Sequence, residues 1–244
     1  MRFLRRLAGR PAPQRAPKVK QPGQPPAWPD AWRKLIEWLE VDLVLDVGAG
    51  LGQYGTTLRK IGYGGRICSF EPLSTARAKV QERAAADAGW SVLPYALGEA
   101  DGSTILHVAG NSGSSSILDM LERHRAAAPV SEYVGEERVD VRRLDGILDQ
   151  VLGSASHVFL KLDVQGYELA VLRGAGDRLA TFVGMQLELS TVPLYAGAPL
   201  RGEVEEFLAG AGYALAGVKQ GFSDPRTGQM LQLDGVFVRR DLLP

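Results

Sequence analysis

Four acids in this sequence each close an apolar run, the place where a sheet offers a side chain to a ligand. Asp46 lies in Val44-Leu-Asp-Val-Gly-Ala-Gly-Leu-Gly52. Glu71 ends Arg66-Ile-Cys-Ser-Phe-Glu71, Asp163 ends Phe159-Leu-Lys-Leu-Asp163, and Glu188 sits in Gln186-Leu-Glu-Leu-Ser190. Open α/β sheets bind ligands outside the carboxyl ends of their strands, so these acids are expected along one rim. Gly48, Gly50 and Gly52 follow Asp46 directly. Such a turn lets the backbone approach a ligand closely, and the next helix aims free N–H groups at it.

The glycines alone leave the ligand open, since Gly50-Leu-Gly-Gln-Tyr-Gly55 also satisfies the dinucleotide fingerprint. Asp46 separates the two. A carboxylate before the turn repels a pyrophosphate, whereas S-adenosylmethionine has no phosphate and presents an amino group and a sulfonium, both cationic. Glu71 is placed to accept hydrogen bonds from both ribose hydroxyls, and Ala96 and Leu97, after the third strand, flank the adenine by their order in the chain. The cofactor-binding set is therefore Asp46, Gly48, Gly50, Gly52, Glu71, Ala96 and Leu97.

On the acceptor side, an oxygen nucleophile needs a base as it attacks a methyl carbon. Asp163 is the first choice and Glu188 the second. A divalent metal held by Asp163 and Glu188 is the alternative way to lower a hydroxyl pKa. Lys161 stands two residues before Asp163, on the same side of its strand, and a lysine inside a core strand is costly unless paired. Glu168 is either part of this site or an acid in the first turn of a helix. His107, His124 and His157 show no metal-ligand spacing and are read as surface, loop or structural residues. Cys68, the only cysteine, excludes an intramolecular disulfide and reads as a small buried apolar residue.

The elements that must carry these groups alternate. Strands are expected at Leu43–Val47, Arg66–Phe70, Ser91–Tyr95, Val158–Leu162, Val183–Leu189, Tyr213–Val218 and Val236–Arg239, with two more at Thr104–Val108 and Val139–Arg143. Helices are expected from Asp30, whose apolar partners Trp32, Leu35, Ile36 and Leu39 follow at helical spacing, and at Tyr54–Ile61, Ser74–Ala88, Leu118–Ala127, from Glu168 and at Glu203–Ala211. This is an α/β fold of Rossmann-like type, with a mostly parallel seven-stranded sheet covered by helices on both faces. The last two strands have no helix between them, so they form an antiparallel hairpin at one edge. The middle segment and the turn-rich Gly221–Gly228 loop are expected to shape the acceptor pocket.

With Leu45-Asp-Val-Gly-Ala-Gly-Leu-Gly52, Phe70-Glu-Pro72, Asn111 before its serine-rich loop, Arg143-Leu-Asp145, Leu160-Lys-Leu-Asp-Val164 followed by Gly166 and Glu168, and Asp234-Gly-Val-Phe237, the chain resembles the FkbM-type methyltransferases from about Leu43 to Arg239. The resemblance implies a class I methyltransferase fold and S-adenosylmethionine-dependent O-methylation of sugar, glycolipid or polyketide-type hydroxyls. That family usually carries glutamate where this chain has Gln165, which removes a charge from any metal site using that position.

Composition sets the outer bounds. The 244 residues suffice for one α/β domain, expected over residues 30–244. The formal charge of zero hides an uneven placement: residues 1–20 hold seven cations and no acid, so the rest carries about −7. Such a body argues against a nucleic-acid partner. Residues 1–29, proline-rich and without a sustained apolar stretch, read as a disordered leader with at most weak contact to an anionic membrane, and the protein as cytoplasmic. Two rivals remain: an NAD-dependent oxidoreductase, against which Asp46 counts, and a non-catalytic nucleoside-binding protein, against which Asp163 and Glu188 count.

Overall fold

The computed structural model describes residues 30–244; the expectations for the leader fall outside the described residues. In chain order the first half runs α1 (Asp30–Trp38), β1 (Leu43–Val47), α2 (Gln53–Lys60), β2 (Arg66–Phe70), α3 (Ser74–Ala84), β3 (Trp90–Leu93), β4 (Ala96–Gly98), β5 (Gly102–Ala109) and α4 (Glu122–Ala127). The second half runs β6 (Tyr133–Arg143), α5 (Leu144–Leu152), β7 (Val158–Leu162), α6 (Glu168–Ala175), β8 (Phe182–Ser190), α7 (Arg201–Gly210), β9 (Tyr213–Gln220) and β10 (Gln232–Arg239).

Seven strands make the main sheet in the order β3-β2-β1-β7-β8-β10-β9. The first five run parallel, and β10 is antiparallel to both β8 and β9. The expected hairpin is present, and the structure adds that β10 lies inside it, leaving β9 on the edge. The two central strands β1 and β7 are buried along their whole length, as strands covered on both faces must be. Leu43, Leu45 and Val47 point toward α5, α6 and α7, through Leu148, Leu172 and Leu208. Val44 points the other way, into a cluster with Trp32 of α1, Leu58 of α2 and Val80 of α3. Trp32 meets Phe159 of β7 edge-on at 4.7 Å and fixes α1 across the sheet.

Three expectations about the middle of the chain are corrected. The strand expected at Val139–Arg143 begins at Tyr133 and, with β4 and β5, forms a separate three-stranded sheet. Its first half is mostly exposed, so no apolar alternation marks it. The helix expected from Leu118 begins at Glu122, because Leu118 N–H bonds the Ser116 hydroxyl and Met120 pairs with Tyr195 as an isolated bridge. The sequence reading assigns no element to 144–152, yet Leu144, Ile147, Leu148 and Val151 form the buried stripe of α5. Among the described residues no helix is long and apolar enough to cross a membrane.

Candidate active site

Parallel pairing sets Ser69, Asp46, Lys161 and Gln186 side by side across β2, β1, β7 and β8. All four therefore share one face of the sheet. Trp90 Nε1 donates to Ser69 Oγ at 3.0 Å, and Ser69 Oγ donates to Asp46 Oδ2 at 3.1 Å. Lys161 Nζ lies 3.1 Å from Asp46 Oδ1 and 3.7 Å from Asp163 Oδ2, and donates to the Gly48 carbonyl at 3.0 Å. The Tyr54 ring lies 5.4 Å from the same nitrogen, and its hydroxyl contacts Gln186 Oε1 at 3.3 Å. Burial alone would push the Lys161 pKa down; Asp46 and Asp163 outweigh it and hold the ammonium above the ordinary lysine range.

At the carboxyl ends of these strands opens a cavity of about 690 Å³. Gly48, Gly50, Glu71, Ala96 and Leu97 line it on one side. Gly48 sits at φ 73°, and a Cβ there would stand 1.9 Å from the Asp163 carbonyl oxygen, so only glycine fits between the ends of β1 and β7. Glu71 accepts the Gly50 N–H at 2.7 Å and the Leu73 N–H at 2.9 Å. Burial raises its pKa to about 7 against those two bonds.

Two residues of the expected cofactor set lie outside the cavity lining. Asp46 is fully buried and does not line the cavity; its carboxylate meets Lys161 and Ser69. Gly52 also lies outside the lining. Its φ of 81° starts α2, with Arg83 packed where a side chain would begin.

The other side of the cavity carries Asp163, Gln186, Glu188 and Asp234, with Asn111 of the serine-rich loop and Lys219 of β9. Asp163 keeps 39% of its side-chain surface exposed, which makes it the open carboxylate of the Lys161 cluster. Glu188 is held well above the usual carboxylate range by burial, reinforced by the charges of Asp163, Glu168 and Asp234. Its Oε2 accepts from the Gln232 amide at 2.7 Å and from the Gln165 amide at 2.5 Å. The same Gln165 Nε2 donates to Asp163 Oδ1 at 2.8 Å, so one amide joins both acids.

That join bears on the metal considered at Asp163 and Glu188. An amide N–H₂ offers two protons and no lone pair for a cation. Among the described residues no group of three or more His, Cys, Asp or Glu side chains is arranged to hold a metal ion. The residues present do not fit a divalent metal.

The remaining candidates have structural roles. Glu168 Oε1 accepts the Val164 and Gly166 N–H groups and so closes the turn after β7. Arg143 pairs with Asp145 and binds the Glu99 carbonyl, fixing the β6–α5 corner. His107 stacks on Tyr133 between Asp119 and Glu136, His124 is buried against Tyr195 and Phe222, and the His157 backbone binds Asp42. None of the three histidines lines the cavity. Of the Gly221–Gly228 loop only Gly221 does, while residues 111–113 and 115–117 of the middle segment do. The sequence reading missed Tyr54, Gln186 and Tyr195. Only the position of Gln186, two residues before Glu188 on one strand, could have signalled its place.

A model of the methyltransferase FkbM domain matches residues 46–215. No curated protein matches. Solved structures that resemble the chain include the ribosomal protein L11 methylase from Lactobacillus delbrueckii subsp. bulgaricus, at 10% identity, TM-score 0.43, 86% of this chain and 78% of that one. A SAM-dependent methyltransferase from Aquifex aeolicus matches at 14% identity, TM-score 0.41, 84% of this chain and 87% of that one. Precorrin-6y C5,15-methyltransferase from Geobacter metallireducens GS-15 matches at 11% identity, TM-score 0.44, 86% of this chain and 87% of that one. With the domain match spanning more than half of its length, from Asp46 at the glycine turn into β9, the chain belongs to the FkbM family of S-adenosylmethionine-dependent methyltransferases.

Proposed function

We propose that this chain methylates a hydroxyl oxygen of a sugar, glycolipid or polyketide-type acceptor, and that Asp163 receives the hydroxyl proton. The observation that carries the reading is that Asp163 and Glu188 open into the same cavity as the glycine turn and Glu71. S-adenosylmethionine, held along Gly48, Gly50, Glu71, Ala96 and Leu97, supplies a methyl carbon made electrophilic by its sulfonium. Alignment of the attacking oxygen with that carbon provides much of the acceleration.

Each side chain then has a separate task. Lys161 and Gln165 fix the Asp163 carboxylate from two sides, leaving its open edge toward the acceptor hydroxyl. Glu188, whose Oε2 is held by the Gln165 and Gln232 amides, keeps its other oxygen to orient the acceptor and leaves proton uptake to Asp163. Asn111, Asp234 and Lys219 offer both donors and acceptors, the mixture that a polyhydroxylated acceptor requires. The acidic body supports a small-molecule or glycan partner over a nucleic acid.

Asp163→Asn tests the assignment. It keeps the shape but cannot take a proton, so transfer of labelled methyl to the acceptor should fall about 10²–10⁴-fold while S-adenosylhomocysteine affinity stays near wild type. Full activity in Asp163→Asn would remove Asp163 as the base.

A further inference from the structure

Among the described residues Gln165 is the one that hydrogen-bonds both carboxylates at the acceptor end of the cavity, and its orientation is not free. The Tyr195 hydroxyl lies 2.7 Å from Gln165 Oε1 and 3.1 Å from the Ser114 carbonyl. A tyrosine hydroxyl has one proton, and the shorter contact to the amide oxygen directs Nε2 toward Asp163 and Glu188. The reversed amide would set an oxygen against two carboxylates and an N–H₂ against the hydroxyl. The backbone completes the fixation. Gln165 adopts φ 53°, a left-handed conformation uncommon for a residue with a side chain, and the Ser116 hydroxyl donates to its carbonyl at 2.8 Å. Gln165 is buried and lines the cavity together with the two acids.

Two carboxylates facing one gap repel each other unless something positive lies between them. A divalent cation does this in many enzymes, with carboxylate oxygens about 2.0–2.6 Å away. Here the two N–H bonds of one amide do it, each aimed at a different acid, at 2.8 and 2.5 Å from nitrogen to oxygen. We propose that the Gln165 side chain stands in the place of a divalent cation between Asp163 and Glu188, and is the positioning residue that lets this site work without a metal.

The proposal rests on the reading of Asp163 and Glu188 as the acceptor-side acids. Its test does not require the acceptor, so its failure leaves the methyl-transfer reading standing. Mn²⁺ is titrated into the protein and free ion is followed by its room-temperature paramagnetic resonance signal. Gln165→Glu keeps the length of the side chain and replaces the amide by a third carboxylate, so it should bind one Mn²⁺ about tenfold or more tighter than wild type. That gain should vanish in Gln165→Glu/Asp163→Asn. S-adenosylhomocysteine binding in each variant checks that the fold is intact. If Gln165→Glu does not fold, Gln165→Ala opens the same gap, and Mn²⁺ should raise its melting temperature while leaving wild type unchanged.

Wild-type protein that binds Mn²⁺ as tightly as Gln165→Glu, with loss of binding in Asp163→Asn, would overturn the proposal. So would a Gln165→Glu protein that folds and gains no affinity, since the amide would then not be what fills the gap. With a competent acceptor, wild-type turnover should survive EDTA. In Gln165→Ala the kcat should fall with KM for S-adenosylmethionine unchanged, a split that general loosening of the fold would not produce.

Discussion

Asp46→Asn removes one charge from a pair almost sealed from water, with 0% of the Asp46 side chain and 8% of the Lys161 side chain exposed. The substitution keeps volume and a hydrogen bond to Ser69 but leaves the ammonium with the Gly48 carbonyl at 3.0 Å and Asp163 at 3.7 Å. Removing one partner of a buried pair costs about 3–5 kcal/mol, and the two remaining contacts place this case near 3 kcal/mol. A domain of this size loses about 2–4 °C per kcal/mol, so thermal unfolding followed by circular dichroism should show a drop of about 6–12 °C. Asp46→Asn/Lys161→Met removes both charges and should melt above Asp46→Asn, because no buried ammonium is left behind. A single variant melting within about 2 °C of wild type, yet losing affinity for S-adenosylhomocysteine, would show the pair to be dispensable for stability and make Asp46 a direct ligand of the cofactor.

Two further outcomes follow from the glycine turn. Glu71 binds its proton more tightly in the folded protein than a free carboxyl does, with a pKa of about 7, so its contribution to stability is complete below about pH 4.5 and is lost as pH rises through 7. Its ionised form is the better acceptor for two ribose hydroxyls, so calorimetry should show S-adenosylhomocysteine affinity rising from about pH 6 to about pH 8, and Glu71→Gln should flatten that dependence; affinity constant across the range in wild type would contradict the role. Gly48→Ala places a methyl against the Asp163 carbonyl at a positive φ, and should abolish S-adenosylhomocysteine binding with a loss of about 2 kcal/mol or more in stability. Wild-type affinity in that variant would show that the turn does not shape the site.

The strands that bear the site were legible because each is a short apolar run closed by an acid or a glycine. The bounds of β1, β2 and β7 coincide with the sequence reading residue for residue. The identity of what lies across a strand was not legible. Period two places Asp46 on a face, but its partner is decided by register with β7, and that register puts Lys161 beside it. The need for a partner could be read from Lys161 itself, since an ammonium in a buried strand demands one. Gln165 was visible only as a departure from a family pattern. Its function depends on a left-handed backbone turn and on Tyr195, which arrives from the loop after β8. The three-stranded sheet was half visible, since β6 shows apolar alternation only where Val139 and Val141 pack on Leu106 and Leu73.

The proposed function stands on delivery of the methyl group to oxygen. The most direct measurement supplies S-adenosylmethionine labelled with ¹³C in the methyl group to the wild-type protein with a metabolite and glycan extract, then examines the labelled products by carbon NMR. Transfer to oxygen gives a methoxy resonance on a hydroxylated acceptor, strongly reduced with Asp163→Asn. Label that appears only as N-methyl or C-methyl, or that forms equally well with Asp163→Asn, would contradict it.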